Sequence, residues 1–230
     1  MKPVDDSDIG AQLDAEGYAL LPQLLDAEAC AKLAARYDED ALFRKRVVMQ
    51  NHGYGRGEYR YFGYPLPEPV AALRTQLYPP LARIANRWNE ALGLAARYPL
   101  RHAEFLAGCH AAGQARPTPL LLRYGTDDYN CLHQDLYGEQ VFPLQLAILL
   151  SQPGRDFRGG EFVLTEQRPR MQSRAMVVPL MQGDAVVFPV HHRPVRGSSG
   201  RVHRVNLRHG VSRVLDGRRH VAGIIFHDAA

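Results

Sequence analysis

From about residue 118 onward the chain is a series of short apolar or alternating runs: PLLLRY, FPLQLAILLSQ, GEFVLTEQ, AMVVPL, GDAVVFPV, RVNLRHGVSRV and HVAGIIFH. Gly, Pro, Asp and Ser part them. Parallel strands need a crossover of a dozen or more residues, usually a helix, and these gaps leave no room for one. Neighbouring strands must therefore pair antiparallel, in a sandwich or a barrel.

Helical periodicity lies upstream. In DAEACAKLAARYDED, Asp26 stands as an N-cap, and Cys30, Leu33, Ala34 and Tyr37 recur on one face. PVAALRTQLYPPLARIANRWNEALGL carries a second helical signal, expected to break or kink near Pro79 and Pro80. GEYRYFGYPLP reads as a strand running into a proline-marked turn. No repeat or low-complexity linker divides the chain. One domain is expected, with residues 1–100 a mainly helical support and residues 101–230 a β core.

At 46% hydrophobic and 23% charged residues, the composition is that of a folded chain. No apolar run reaches the ~18 residues of a membrane span. The acidic N-terminus lacks the basic-then-apolar order of a signal peptide, so a cytoplasmic location without a membrane partner is expected. Cys30, Cys109 and Cys131 form no C-x-x-C pair, which argues against a disulfide framework or a cysteine zinc site; buried thiols are expected. The net charge is +4, but its distribution says more. Arg193, Arg196, Arg201, Arg204, Arg208, Arg213, Arg218 and Arg219 crowd one region, with His191, His192, His203, His209 and His220 among them. A solvated basic face and an anion-binding surface are both open readings.

CLHQDLYGE sets His133 and Asp135 two positions apart. An isolated H-x-D is more often a polar turn than a site. In an extended segment, however, residues i and i+2 share a side, so an imidazole and a carboxylate are presented together. A second histidine would complete a two-His-one-carboxylate site, which leaves positions open on Fe(II) for substrate and oxygen. His191, His192, His203 and His209 are the candidates.

HGVSRVLDGRR, from His209, has valines two and five residues on, Gly217 at eight and Arg219 at ten. This segment resembles the distal-histidine segment of the iron(II)/2-oxoglutarate dioxygenases, particularly their prolyl-4-hydroxylase-like branch. RYGTDDYNCLHQD sets Tyr124 nine residues before His133, and FRGGEFVL and VVPLMQGDAVVFP are similar to the family's strand-joining segments. The resemblance covers roughly residues 117–227. It implies a mainly β fold with N-terminal helices around a double-stranded β-helix, a jelly-roll or cupin-like core. It implies Fe(II), 2-oxoglutarate and O2 as cofactors, with ascorbate as a candidate reductant. His133, Asp135 and His209 would hold the metal. Arg219 would bind the far carboxylate of 2-oxoglutarate and Tyr124 would donate to it.

Arg213 stands where the branch usually has proline, which makes it a candidate to assist or replace Arg219. A three-residue loop at Leu215 to Gly217, with Gly217 left-handed, would pair Arg213 with Arg219 and His209 with Gly223. The nearest resemblance is to a bacterial group proposed to act on alkylated nucleic acid. Tyr129, Arg193, Arg196 and Tyr61 are candidates for substrate contact. Tyr54, Tyr59, Tyr61 and Phe62, set among Arg56 and Arg60, could stack a base or fill the gap between helices and barrel. A protein side chain such as proline, or a small metabolite, is the alternative substrate. A non-catalytic cupin-like metal-binding barrel is the alternative class.

Overall fold

A computed structural model of the chain describes residues 6–136, 138–168, 170–197 and 200–230. The described residues form helices α1 (Asp6–Glu16), α2 (Ala27–Ala35), α3 (Glu68–Ala91) and α4 (His102–Ala111). The early strands are β1 (Ala19–Leu21), β2 (Phe43–Val48), β3 (Gly55–Arg56) and β4 (Glu58–Phe62). Next come β5 (Leu120–Tyr124), β6 (Tyr129–His133), β7 (Leu144–Leu149), β8 (Phe157–Gly159), β9 (Phe162–Gln167) and β10 (Arg174–Val178). The last are β11 (Ala185–Pro189), β12 (His192–Arg196), β13 (Val202–Val211), β14 (Val214–Gly217) and β15 (Arg219–Ile224).

All the strand pairs are antiparallel, as the short spacings require. One sheet runs β1-β11-β7-β15-β5-β4-β2, and a second runs β10-β9-β13-β6-β3 with β12 pairing along the first half of β13. The first sheet is covered on both faces, which explains why β7 is buried at every position. Its Leu146 and Ile148 join Leu73, Leu77 and Leu81 of α3 in the helix-facing core. Ala147 and Leu149 turn the other way, towards Phe162 and Leu164 of the second sheet. The layers are thus helices, large sheet, small sheet, with a space between the two sheets.

Two expectations change here. The first 100 residues supply β1, β2 and β4 to the large sheet as well as helices. Pro79 and Pro80 lie inside an unbroken α3. Each proline removes a backbone donor, but the apolar face of α3 is packed along its length, from Val70 to Trp88. Packing of that face outweighs the lost bonds.

Arg193, expected at a substrate surface, is 1% exposed. It pairs with Glu166 of β9 at 2.6 Å and donates to the Asp14 carbonyl at 2.7 Å, tying the end of α1 to the small sheet. A guanidinium alternating inward on a strand needs such partners. Tyr61 is also inside. It is 8% exposed among Val47, Leu120 and Ile225, with the Arg44 guanidinium 4.7 Å above its ring. Neither side chain reaches a substrate surface.

Arg193→Ala leaves Glu166 with only the half-exposed Arg168, at 3.1 Å, as a partner and is expected to cost about 2–3 kcal/mol in urea unfolding. Arg196→Ala, on the exposed side of the same strand, is expected to stay within about 0.5 kcal/mol.

Candidate active site

Antiparallel pairing of β6 with β13 sets His133 opposite His209. An irregularity follows at Gly210, where a Cβ would stand 2.6 Å from the Asn130 carbonyl. Only glycine lets the strands approach there, and such bulges re-aim neighbouring side chains. The imidazole rings lie 4.2 Å apart by centroid. Asp135, just beyond β6, bridges them: its Oδ1 is 3.4 Å from His133 Nε2 and its Oδ2 is 3.3 Å from His209 Nε2. One ligand atom from each of the three lies within 4.8 Å of the others.

The surrounding bonds orient these atoms. His133 Nδ1 lies 2.8 Å from the Cys131 carbonyl, a bond that puts the proton on Nδ1 and leaves Nε2 free as a ligand. Gln145 Nε2 donates to Asp135 Oδ2 at 2.9 Å. Phe188 and Phe162 flank the His209 ring at 4.7 and 6.1 Å. Burial pushes the Asp135 carboxyl up, and the charge of His209 with hydrogen bonds from both imidazoles outweighs it, holding the group well below the usual range. Burial lowers His209 and Asp135 only partly restores it. For His133 the same burial is overcome by Asp135, and its pKa is raised. With their protons given up to a metal, the two imidazoles and the ionised carboxylate are the donor set that suits a divalent iron.

Arg219 opens β15 directly opposite Tyr124 of β5. It is 2% exposed, its Nε and Nη1 lack hydrogen-bond partners, and it forms no ion pair among the described residues. Its guanidinium carbon lies 5.6 Å from the Tyr124 ring centre and 5.8 Å from that of Phe157. The Tyr124 hydroxyl is buried without a well-formed bond, the Asn130 side chain being its polar neighbour. Burial lowers Arg219 to about 10, which leaves it cationic at neutral pH. A buried cation without a counter-charge costs several kcal/mol. An anionic ligand supplies what is missing, and a carboxylate matches the planar fork.

His133, Asp135, His209, Tyr124 and Arg219 all line one cavity of about 450 Å³ between the sheets. The loop expected at Leu215 to Gly217 does not form a hairpin. Gly217 is left-handed, at φ 85°, but β14 pairs with β8 while β13 and β15 lie in different sheets. Gly223 pairs with Leu120 and Ala147, and Arg219 still reaches the cavity from the opposite wall. Arg213 does not. It is 63% exposed and faces Asp127 at 3.4 Å, because the turn after β13 carries it outside. Arg196 and Tyr129 are exposed and do not line the cavity. His191 and His192 contact each other at 3.1 Å, away from the triad.

Several residues of the site were not picked out from the sequence. Gln145 is the one polar residue in the buried run LQLAIL, and that oddity was the available signal. Asn130 and Leu136 carry no signal of their own. Cys131, expected as a packing thiol, is exposed and lines the cavity. Of the aromatic segment, Tyr54 and Tyr59 line the cavity, whereas Phe62 is wholly buried in the helix-facing core.

Residues 57–229 match a family described as oxygenases catalysing oxidative methylation of damaged DNA. The chain belongs to this oxygenase family. It is 48% identical over 195 residues to an uncharacterised protein of Mycobacterium tuberculosis strain H37Rv, covering 83% of each chain. Among solved structures it is similar to a 2OG-Fe(II) oxygenase family oxidoreductase from Burkholderia pseudomallei, with a TM-score of 0.57, 19% identity and coverage of 100% and 95%. A Pseudomonas putida prolyl-4-hydroxylase gives 0.52, 14% identity and coverage of 98% and 100%. These likenesses confirm the jelly-roll arrangement of the oxygenase's two sheets. Among the described residues no helix is long and apolar enough to cross a membrane.

Replacing His209 by Ala is expected to abolish tight binding of Co(II), read from the ion's visible spectrum. Gln145→Leu, which frees Asp135 to rotate, is expected to weaken it about 10- to 100-fold.

Proposed function

We propose that the protein uses Fe(II), 2-oxoglutarate and O2 to remove methyl groups oxidatively from damaged nucleic acid. In this reading His133, Asp135 and His209 hold the metal, and Arg219 with Tyr124 anchors the co-substrate. The observation that carries it is the buried Arg219 guanidinium, unpartnered at Nε and Nη1, in the same cavity as the two-His-one-carboxylate triad. A metal-binding barrel without turnover has no use for that buried cation.

When bound, iron and 2-oxoglutarate supply the oxidising power: one atom of O2 enters succinate as CO2 leaves, and the other enters a substrate C–H bond. On an N-methyl carbon the product is an N-hydroxymethyl group, which departs as formaldehyde. Oxidation of this kind removes a methyl group and cannot add one, so we read the family's activity as demethylation.

The chain's own residues bind, orient and shield. Cys131 and Gln145 hold the His133 ring and the Asp135 carboxylate in place. Phe162, Phe188 and Leu122 wall the cavity with apolar surface and limit water. The volume, about 450 Å³, is within the range of small-molecule sites. Leu132, Leu136 and Tyr54, each about half exposed, form a neutral rim where an uncharged base can pass.

Succinate release from 2-oxoglutarate with Fe(II) tests this. We expect slow uncoupled turnover, stimulated by methylated oligonucleotides with formaldehyde released in step. Stimulation by peptide pools alone would replace the nucleic-acid reading with side-chain hydroxylation, and no succinate at all would favour a non-catalytic barrel. Arg219→Gln is expected to weaken 2-oxoglutarate binding by about 10-fold or more. In the unaltered protein, guanidinium charge is present below its pKa and lost above it. Affinity for 2-oxoglutarate is therefore expected to hold level through neutral pH and to fall as pH rises through about 10.

A further inference from the structure

Strand β13 alternates strictly: Val205, Leu207 and His209 are buried, while Arg204, Asn206 and Arg208 are exposed. The exposed set therefore stands on the sheet face opposite the metal ligands. Register extends this face sideways. Arg208 lies opposite Thr165, Asn206 opposite Gln167 and His192, Arg204 opposite Pro194, and Val202 opposite Arg196. Between Arg208 and Arg196 these rows hold guanidinium, amide, hydroxyl and imidazole groups and no carboxylate. Glu166 of β9 stands on the inward face with Leu207, and on the outward face the next acid in line with β9 is Glu161, two rows beyond Arg208 and engaged with Ser212.

Several exposed arginines elsewhere are paired, Arg46 with Glu58, Arg87 with Asp14, Arg155 with Asp156 and Arg158 with Asp216, whereas Arg97, Arg116, Arg174 and Arg218 form no ion pair among the described residues and are scattered singly. Among the described residues Arg204, Arg208 and Arg196 of this face form no ion pair, and Arg196 donates to the Gly200 carbonyl at 2.8 Å. Like charges on one sheet face repel. A surface shaped only for solubility interleaves the two signs, and the rows of this face do not.

The levels of Arg196, Arg204 and Arg208 along the strand are about 7 and about 14 Å apart, from a rise of roughly 3.4 Å per residue. This is a repeat that an extended phosphodiester chain can follow. The neutral amides and hydroxyl between the arginines are hydrogen-bond donors of the kind that contact phosphate oxygens. The face also adjoins the cavity mouth. Gln134 lines the cavity and donates to the Leu207 carbonyl at 2.8 Å, on the very strand that carries Arg208.

We propose that the outward face of the β12–β13 hairpin, centred on Arg196, Arg204 and Arg208, docks the sugar-phosphate backbone of a nucleic acid whose modified base enters the cavity. This inference rests on the nucleic-acid reading of the site and adds the surface that grips the strand. The base mouth is neutral, so charge-based affinity is supplied by this separate face.

The test is binding of an unmodified single-stranded DNA oligonucleotide, followed by fluorescence anisotropy over a series of salt concentrations. For R196Q/R204Q/R208Q we expect at least about 10-fold weaker binding and a salt slope shallower by about 2, since each phosphate contact on a single strand contributes roughly 0.7. R97Q/R101Q/R155Q, which removes the same charge elsewhere on the surface, is expected to change neither. Should the face variant melt early, R204Q and R208Q singly are each expected to lower the slope by about 0.7.

Unchanged affinity and slope in the face variants would overturn the proposal. Polyglutamate competing as well as unlabelled DNA would overturn it too, in favour of an acidic protein partner. DNA binding through this face without succinate release would retire the demethylase reading and leave the docking surface standing. Stimulation of succinate release by methylated DNA, undiminished in the face variants at limiting DNA, would do the reverse.

Discussion

The pairing of β6 with β13 is the constraint on which the rest depends. Antiparallel register sets His133 opposite His209, and the irregularity at Gly210 brings the backbones close enough for one carboxylate to touch both rings. A slip of one residue would send His209 to the solvent face and Arg208 into the cavity. The same alternation therefore places the metal ligands on one side of the small sheet and the arginine rows on the other.

Around that pairing, charge is handled in two contrasting ways. Arg193 is as buried as Arg219, yet it is fully engaged by Glu166 and the end of α1, and it works as a staple. Arg219 keeps Nε and Nη1 open, opposite a tyrosine whose hydroxyl is also unmet. Interior arginines are alike in burial and differ in what is left unpaired, and only the second kind asks for a ligand. The first supports the walls that hold the second in place.

Much of the site was legible in linear order. H-x-D spacing, the segment following His209 and the tyrosine ahead of His133 each named a residue that the fold brings into one cavity. Legibility failed where a strand's parity decided the outcome. Arg193 and Arg196 look equivalent in a basic stretch, but three residues along a strand is an odd step and puts them on opposite faces. Arg213 stands as a candidate to assist or replace Arg219 until the chain crosses between sheets at β14 and carries it outside. Tyr61 and Tyr59 share a face of β4, yet Tyr59 lines the cavity while Tyr61 packs beside it among Val47, Leu120 and Ile225.

By itself the chain's order of residues determined the fold class and the donor set. Short apolar runs without room for crossover helices force antiparallel pairing, and two imidazoles with a carboxylate select a divalent metal. Tertiary structure alone decided that His209 and Arg219 meet the H-x-D pair in one cavity, that Arg213 is carried outside it, and where the basic rows face. Those outcomes depend on register and on sheet membership, which are set by packing between segments far apart in the chain and leave no trace in local spacing.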